Sequence, residues 1–252
     1  MNRLFVFGCS FTRYWRWPTW ANILAANFDH FQNWGICGGG NASIFHSIVE
    51  AHKRHNIGAN DTVIVMWTNT SREDHYVKDR WLEGGNVYWG EVYSDDYIKK
   101  FACERGYLIR DLSLITAAQQ LLQSWKCRWR FASMVPFDTT NTHNQMGKPS
   151  GESDAYLHDV LTVYQDTLQV IAPSVYETVF KYDWLSRPGI INASTGQRDF
   201  HPTPAEHLIY LDQVWPEFTV DDVTRTWVND ITQKLQQGLD IGWKEPGIPT
   251  RF

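Results

Sequence analysis

Short apolar runs alternate along the chain with longer stretches in which apolar residues recur at helical spacing. Arg3 to Gly8 predicts a first strand, and Pro18 to Ala26 predicts a helix with Pro18 at its first position. A second strand is expected near Phe31 to Trp34. The glycines of Gly38-Gly39-Gly40-Asn41 then lead into a helix over Ala42 to Val49, with Asn41 as its cap. Asp61 to Trp67 reads Asp-Thr-Val-Ile-Val-Met-Trp, apolar and β-branched without polar alternation. That is the pattern of a strand covered on both faces, so it is expected at the centre of a sheet. Tyr107 to Trp125 has helical spacing, Arg128 to Val135 reads as a fourth strand, and Asp154 to Ile171 as another helix. Thr203-Pro204-Ala205-Glu206 has capping-box spacing, which predicts a helix starting there and running to about Val214. The repeated strand-helix order implies an α/β fold: a mostly parallel sheet with helices on both faces.

Three stretches interrupt this alternation. Residues from about 71 to 104 are rich in charge, glycine and aromatics and read as an insertion over the sheet edge. Residues 136 to 153 form a polar loop long enough for a lid, and the chain from about 238 reads as an irregular tail. No internal repeat or heptad is present, so residues 1–252 are read as a single domain with two insertions and a tail.

Composition narrows the function classes. With 252 residues, 43% hydrophobic and 15% aromatic, the chain can bury a substantial core. Its 23 basic and 28 acidic side chains give a net charge of -5, without the basic excess of a protein held to nucleic acid by phosphate contacts, so no nucleic-acid partner is expected. Cys9, Cys37, Cys103 and Cys127 are widely separated and form no zinc-ribbon or redox spacing, which suits buried thiols in a reducing compartment. No apolar run reaches the ~18 residues of a membrane helix. The first residues read as a strand rather than a signal peptide. The expectation is a soluble, cytoplasmic protein with no membrane partner.

In a parallel sheet, functional groups gather in the loops after the carboxyl ends of the strands. Three such loops carry polar residues: Ser10, the glycines 38 to 40, and Thr68-Asn69. Acyl transfer needs a nucleophile, a base, a group that orients the base and donors for an oxyanion. Ser10 would attack, His201 would take its proton, and Asp199 would hold the other imidazole nitrogen. The bland readings compete at each position, with Ser10 capping its own turn and Asp199 and His201 forming a local turn-stabilising pair.

Read as an ordered set, these blocks resemble the SGNH (GDSL-like) hydrolases. Gly8-Cys9-Ser10-Phe11-Thr12 is similar to the family's Gly-Asp-Ser turn, with Cys9 in place of the Asp. Asn33-Trp34-Gly35-Ile36-Cys37-Gly38 resembles the second block and points to Gly38 as an oxyanion donor through its N–H, with Gly39 a close rival. Trp67-Thr68-Asn69-Thr70 resembles the Gly-x-Asn-Asp block but keeps only the Asn, whose side-chain amide would be a further donor. Asp199-Phe200-His201-Pro202 resembles the closing Asp-x-His-Pro block. The style of the blocks is also similar to SGNH-like proteins encoded by bacteriophages, which would put the chain in a host cytoplasm or on a virion.

The resemblance implies a three-layer α/β/α sandwich around a flavodoxin-like sheet. It also implies a serine esterase or deacetylase, acting on esters such as O-acetyl groups of carbohydrate through an acyl-enzyme at Ser10, without cofactor or metal. The oxyanion donors would be the Ser10 N–H, the Gly38 N–H and Asn69. The departures at Cys9 and Thr70 keep a second class open, a catalytically silent binding or virion structural module, and acyl transfer to an acceptor other than water is a third reading of the same site. Trp15 and Trp17 are candidates to line an acyl or sugar pocket, against core packing. Arg72 would meet an anionic substrate or form an exposed salt bridge, and His207 would lie on a helix surface or beneath His201.

Overall fold

A computed structural model describes residues 2–88, 92–137, 155–184, 186–191 and 195–244. Strands β1 (Arg3–Phe7), β2 (His30–Asn33), β3 (Asp61–Trp67) and β6 (Arg128–Ser133) form a sheet in the order β2-β1-β3-β6, and every pairing is parallel. Phe7 lies opposite Val65, and Trp67 opposite Ser133, so the carboxyl ends of β1, β3 and β6 open onto one edge of the molecule. β3 is central and buried throughout, as its unbroken apolar run predicts.

Alternate residues of each strand feed two cores. Leu4, Val6, Ile64 and Met66 face a core shared with α1 (Trp20–Leu24), α7 (Val175–Thr178), α8 (Pro204–Val214) and α9 (Asp222–Gln236). Phe5, Phe7, Val63, Val65 and Trp67 face α2 (Asn41–His55), α4 (Glu104–Ser124) and α5 (Ala155–Val163). Helices therefore cover both faces, giving the expected three-layer α/β/α sandwich with a flavodoxin-like strand order. Among the described residues no helix is long and apolar enough to cross a membrane.

Several elements differ from the sequence expectation. Pro18 precedes the N-cap of α1, which is Thr19; the Thr19 N–H donates to Asn22 Oδ1 at 2.9 Å. Asn41 does not cap α2; Gly40 does. The Asn41 amide turns inward, accepting from the Thr68 N–H at 2.8 Å and donating to the Thr68 carbonyl at 3.1 Å and to Asp111 at 2.7 Å. Gly40 has no side chain to serve the first turn, and Asp74 Oδ2 accepts the Ser43 N–H that a cap would take, at 2.9 Å. The helix expected over 154–171 is two, α5 and α6 (Gln165–Gln169), with a break at Tyr164; Ser113···Tyr164 and Thr116···Thr167 contacts of 2.6 Å each tie the pair to α4.

The segment from 71 to 104 is structured over its described residues. It holds a two-stranded ribbon, β4 (Tyr76–Val77) with β5 (Arg80–Trp81), and α3 (Asp95–Phe101). Its hydrogen bonds run to the glycines 38 to 40 and to α4, at the carboxyl ends of the strands rather than along a sheet edge. Within the segment expected to be a tail, Gly238 comes just past the C-cap Gln237 of α9, a helix that sequence spacing did not predict. Most of the loop expected as a lid, residues 138–153, lies outside the described residues, as do 154 and 245–252.

Candidate active site

Ser10 sits on a tight turn that glycine makes possible. A Cβ on Gly8 would come 2.1 Å from Thr12 Oγ1 and 2.9 Å from the Met66 carbonyl, so only glycine lets β1 pass β3 this closely. The Cys9 carbonyl accepts from both the Thr12 and Arg13 N–H groups at 3.0 Å, closing the turn behind Ser10. Asn33, at the end of β2, donates to the Thr12 carbonyl at 2.9 Å, and Thr19 Oγ1 donates to the same oxygen at 2.6 Å. The Ser10 turn is therefore bonded to both following elements. Cys9 is fully buried, its Sγ 3.8 Å from Met134 Sδ, so an apolar thiol fills this position inside the core.

His201 reaches this turn from the far end of the chain. β8 (Arg198–Asp199) pairs with β7 (Ile190–Ile191), and the chain then enters α8 through the Thr203 cap, leaving Phe200 to Pro202 as a short bridge. The capping box is present: the Thr203 side chain accepts from the Glu206 N–H at 3.3 Å, and the Thr203 N–H donates to Glu206 at 2.7 Å. Arg187 donates to the Phe200 carbonyl, and the Trp17 indole N–H to the Pro202 carbonyl, both at 2.8 Å. With the bridge pinned at both sides, His201 Nε2 lies 2.9 Å from Ser10 Oγ, and His201 Nδ1 lies 2.8 Å from Asp199 Oδ1. A proton on Nδ1, donated to the carboxylate, leaves Nε2 as the acceptor for the Ser10 hydroxyl.

Asp199 is held on both oxygens. Oδ1 also accepts the His201 N–H at 3.0 Å, while Oδ2 accepts from the Tyr14 hydroxyl and from Arg16 at 2.7 Å. Burial pushes the Asp199 carboxyl up, but the hydrogen bond and charge of His201 and the bond from Tyr14 outweigh it and hold the carboxyl well below the ordinary range. The Tyr14 ring stacks on the His201 imidazole with centroids 4.2 Å apart, and Phe11 meets it edge-on at 5.7 Å. The imidazole is thus fixed by contacts on its rings as well as by hydrogen bonds.

The remaining polar groups stand on loops after three adjacent strands. Asn69 follows β3 and is 1% exposed. Its Oδ1 accepts the Ser71 N–H at 2.7 Å, with Asn86 Nδ2 at 3.5 Å, but its own Nδ2 has no partner among the described residues. A buried amide donor left unmade costs ~1–3 kcal/mol, so it is an unusual thing for a fold to keep. Gly38 has φ +72°, in the left-handed region that favours glycine. The Gly39 N–H is committed to the Ile36 carbonyl at 3.0 Å, whereas the N–H groups of Gly38 and Ser10 make no hydrogen bond among the described residues. Of the two rival glycines, Gly38 is the one with a donor to spare.

A groove of about 390 Å³ runs beside His201, lined by Tyr14, Trp15, Trp184, Arg198 and Phe200 among others. Trp15 is 65% exposed on its rim. Trp17 is not in the groove: it is fully buried, with its ring edge-on to Tyr14, because its indole N–H is used on Pro202. Arg72 is neither exposed nor salt-bridged among the described residues; it is 4% exposed, with Nη1 donating to the Gly39 carbonyl at 2.8 Å. His207 is buried, not on a helix surface, and burial and the nearby charges of His201 and Arg187 lower it to about 3. A larger groove of about 450 Å³ lies on the other side of Trp15, against Ile190 and Leu235, away from Ser10 and Asn69. Among the described residues no cluster of three or more His, Cys, Asp or Glu side chains is gathered as for a metal.

Sequence reasoning missed Tyr14 and Arg16 as partners of Asp199 and saw only their aromatic neighbourhood. Separations of 185 and 183 residues carry no local signal. Asp74 and Asn86, inside the segment read as an insertion, were missed in the same way.

No family model matches the chain, and no curated protein matches it. Solved structures do resemble it at low identity. One is a member of the lipolytic G-D-S-L family from Veillonella parvula, 12% identical over 83% of this chain and 93% of that one, with TM-score 0.43. A second is the psychrotrophic esterase EstA from Pseudoalteromonas sp., 10% identical over 91% and 100%, with TM-score 0.43. A third is a GDSL-like lipase from Bacteroides thetaiotaomicron, 13% identical over 86% and 87%, with TM-score 0.45.

Proposed function

We propose that this chain is a serine hydrolase that cleaves esters through an acyl-enzyme on Ser10. The observation that carries the reading is the hydrogen-bonded line from Ser10 Oγ through His201, at 2.9 Å, to Asp199, at 2.8 Å. In the proposed reaction His201 Nε2 takes the Ser10 proton as Oγ attacks the ester carbonyl, and Asp199 stabilises the imidazolium that forms. The Ser10 N–H, the Gly38 N–H and Asn69 Nδ2 receive the oxyanion, which supplies the partner each lacks among the described residues. His201 then gives its proton to the leaving alcohol, and water repeats the sequence to free the acid. Tyr14 and Arg16, which both donate to Oδ2, keep Asp199 aimed. No metal or cofactor has a step in this scheme.

O-acetyl groups on carbohydrate are the finer reading of the substrate. Its support is Trp15, an indole exposed on the rim of the groove beside His201, where a sugar ring could stack. The silent-module reading would be favoured by a Ser10–His201 separation beyond hydrogen-bond reach, and the observed 2.9 Å does not favour it. The test is hydrolysis of p-nitrophenyl acetate and of a panel of acetylated sugars by the wild-type chain and by Ser10→Ala. Release of acetate is expected only with Ser10 present; equal turnover by Ser10→Ala would sink the assignment, and turnover of p-nitrophenyl acetate without any acetylated sugar would remove the carbohydrate part alone.

A further inference from the structure

Residues 71–88 leave the end of β3 two residues after Asn69 and return against the loop Gly38–Gly40, holding that loop through a series of separate contacts. The Gly85 N–H donates to the Gly38 carbonyl at 3.0 Å. Arg72 Nη1 donates to the Gly39 carbonyl at 2.8 Å. The Gly40 N–H donates to Asp74 Oδ1 at 2.7 Å, and the Ser43 N–H, one turn into α2, to Asp74 Oδ2 at 2.9 Å. A Cβ on Gly38 would meet the Glu83 backbone at 3.1 Å, so the two segments are in backbone contact. The same segment supports Asn69: Ser71 donates to its Oδ1, and Asn86, bridged to Arg72 across the segment, approaches that oxygen at 3.5 Å.

Arg72 is the unusual member. It is 4% exposed, no carboxylate lies within ion-pair distance of it among the described residues, and its Nε has no partner. A buried guanidinium without a counter-charge is costly, so a fold that only needed to fill this space would do better with an apolar side chain. Its Nη2 is 4.0 Å from Met134 Sδ, which also contacts Cys9 and Thr68 at 3.8 Å each. The charge therefore stands behind the residues that flank Ser10 and Asn69.

We propose that Arg72 and Asp74 are positioning residues for the loop that presents the Gly38 N–H, so that segment 71–88 is a working part of the active site rather than an ornament on it. The proposal rests on the esterase reading. Arg72 fixes the Gly39 carbonyl and lends positive potential to the place where the oxyanion forms. Asp74 anchors the loop to the first turn of α2. Neither touches substrate.

The test compares wild type with Arg72→Met, Arg72→Lys and Asp74→Asn in p-nitrophenyl acetate hydrolysis and in the rate of Ser10 modification by a fluorophosphonate. Misplacing the Gly38 donor should lower kcat by up to roughly a hundredfold. KM should stay within about twofold, as expected when an interaction made only in the transition state is lost. The labelling rate should fall with kcat, since phosphonylation uses the same oxyanion donors. Arg72→Lys should recover part of the loss by restoring the charge. Asp74→Asn is nearly isosteric and keeps one of the two acceptors, so it decides the matter if Arg72→Met does not fold. Folded variants with wild-type kcat and labelling rate would overturn the proposal while leaving the esterase reading intact. A loss confined to KM would overturn it too. A wild-type chain that neither turns over nor labels at Ser10 would overturn both.

Discussion

Asn69 makes the sharpest demand on the account, because its amide is divided between two jobs. Oδ1 is spent on the Ser71 N–H, and Nδ2 has no partner among the described residues. Asn69→Ala should therefore cost on two scales at once: roughly a hundredfold or more in kcat from a lost oxyanion donor, and about 1 kcal/mol of stability from the Ser71 bond. Steady-state kinetics paired with urea denaturation separates them, and a loss of stability without a loss of kcat would assign Asn69 to the fold alone. Tyr14→Phe is the complementary case. Removing one of the donors on Asp199 Oδ2 should lower kcat about tenfold, the equivalent of one charge-assisted hydrogen bond, while Arg16 still donates to that oxygen. An unchanged kcat would make Tyr14 a stacking partner of His201 and nothing more.

At the scale of elements, two short devices bring Ser10 and His201 together. Gly8→Ala would drive a methyl into Thr12 and the β3 backbone, so it should destabilise by several kcal/mol or displace the Ser10 turn; thermal unfolding reads the first and fluorophosphonate labelling the second. Thr203→Ala removes the cap that ends the His201 bridge and should cost about 1 kcal/mol in chemical denaturation.

Local signals account for what the sequence disclosed. The β-branched run of β3 and the capping box of α8 are legible because nearest neighbours determine them, and both elements lie where the pattern puts them. Ser10, Asp199 and His201 were legible as residue types at strand and helix ends, and the fold brings them within hydrogen-bond reach. Helix α9 escaped because its buried stripe, Val228, Ile231 and Leu235, is thin within a polar stretch. The roles of Arg72 and Asp74 escaped because a charged, glycine-rich segment reads as surface until tertiary contacts turn it inward. Asn41 shows the same override, since a residue that suits a cap was recruited by the strand end of β3.

Over the whole molecule, acid should act through His207. Its folded-state value, lowered to about 3 by burial beside His201 and Arg187, means that the unfolded chain takes up the proton first as pH falls. His207 therefore costs no stability above about pH 6.5, its ordinary value, and costs about 1.4 kcal/mol per pH unit on the way down toward pH 3. Asp111, pushed up to about 6 by burial against the opposing pull of Arg110 and Asn41, works in the other direction, because its folded form binds the proton more readily. Comparing wild type with His207→Gln cancels the Asp111 contribution. The variant should lose less stability than wild type between pH 6 and 4, and parallel pH profiles would mean that His207 is not held neutral.

The central claim is that Ser10 is a nucleophile activated by His201 and Asp199. Intact-mass analysis after exposure to a fluorophosphonate tests it without knowledge of the substrate. A single adduct is expected on wild type, mapped to Ser10 by peptide sequencing, absent in Ser10→Ala and slowed by orders of magnitude in His201→Ala. A wild-type chain that stays unmodified, or an adduct that persists in Ser10→Ala, would contradict it.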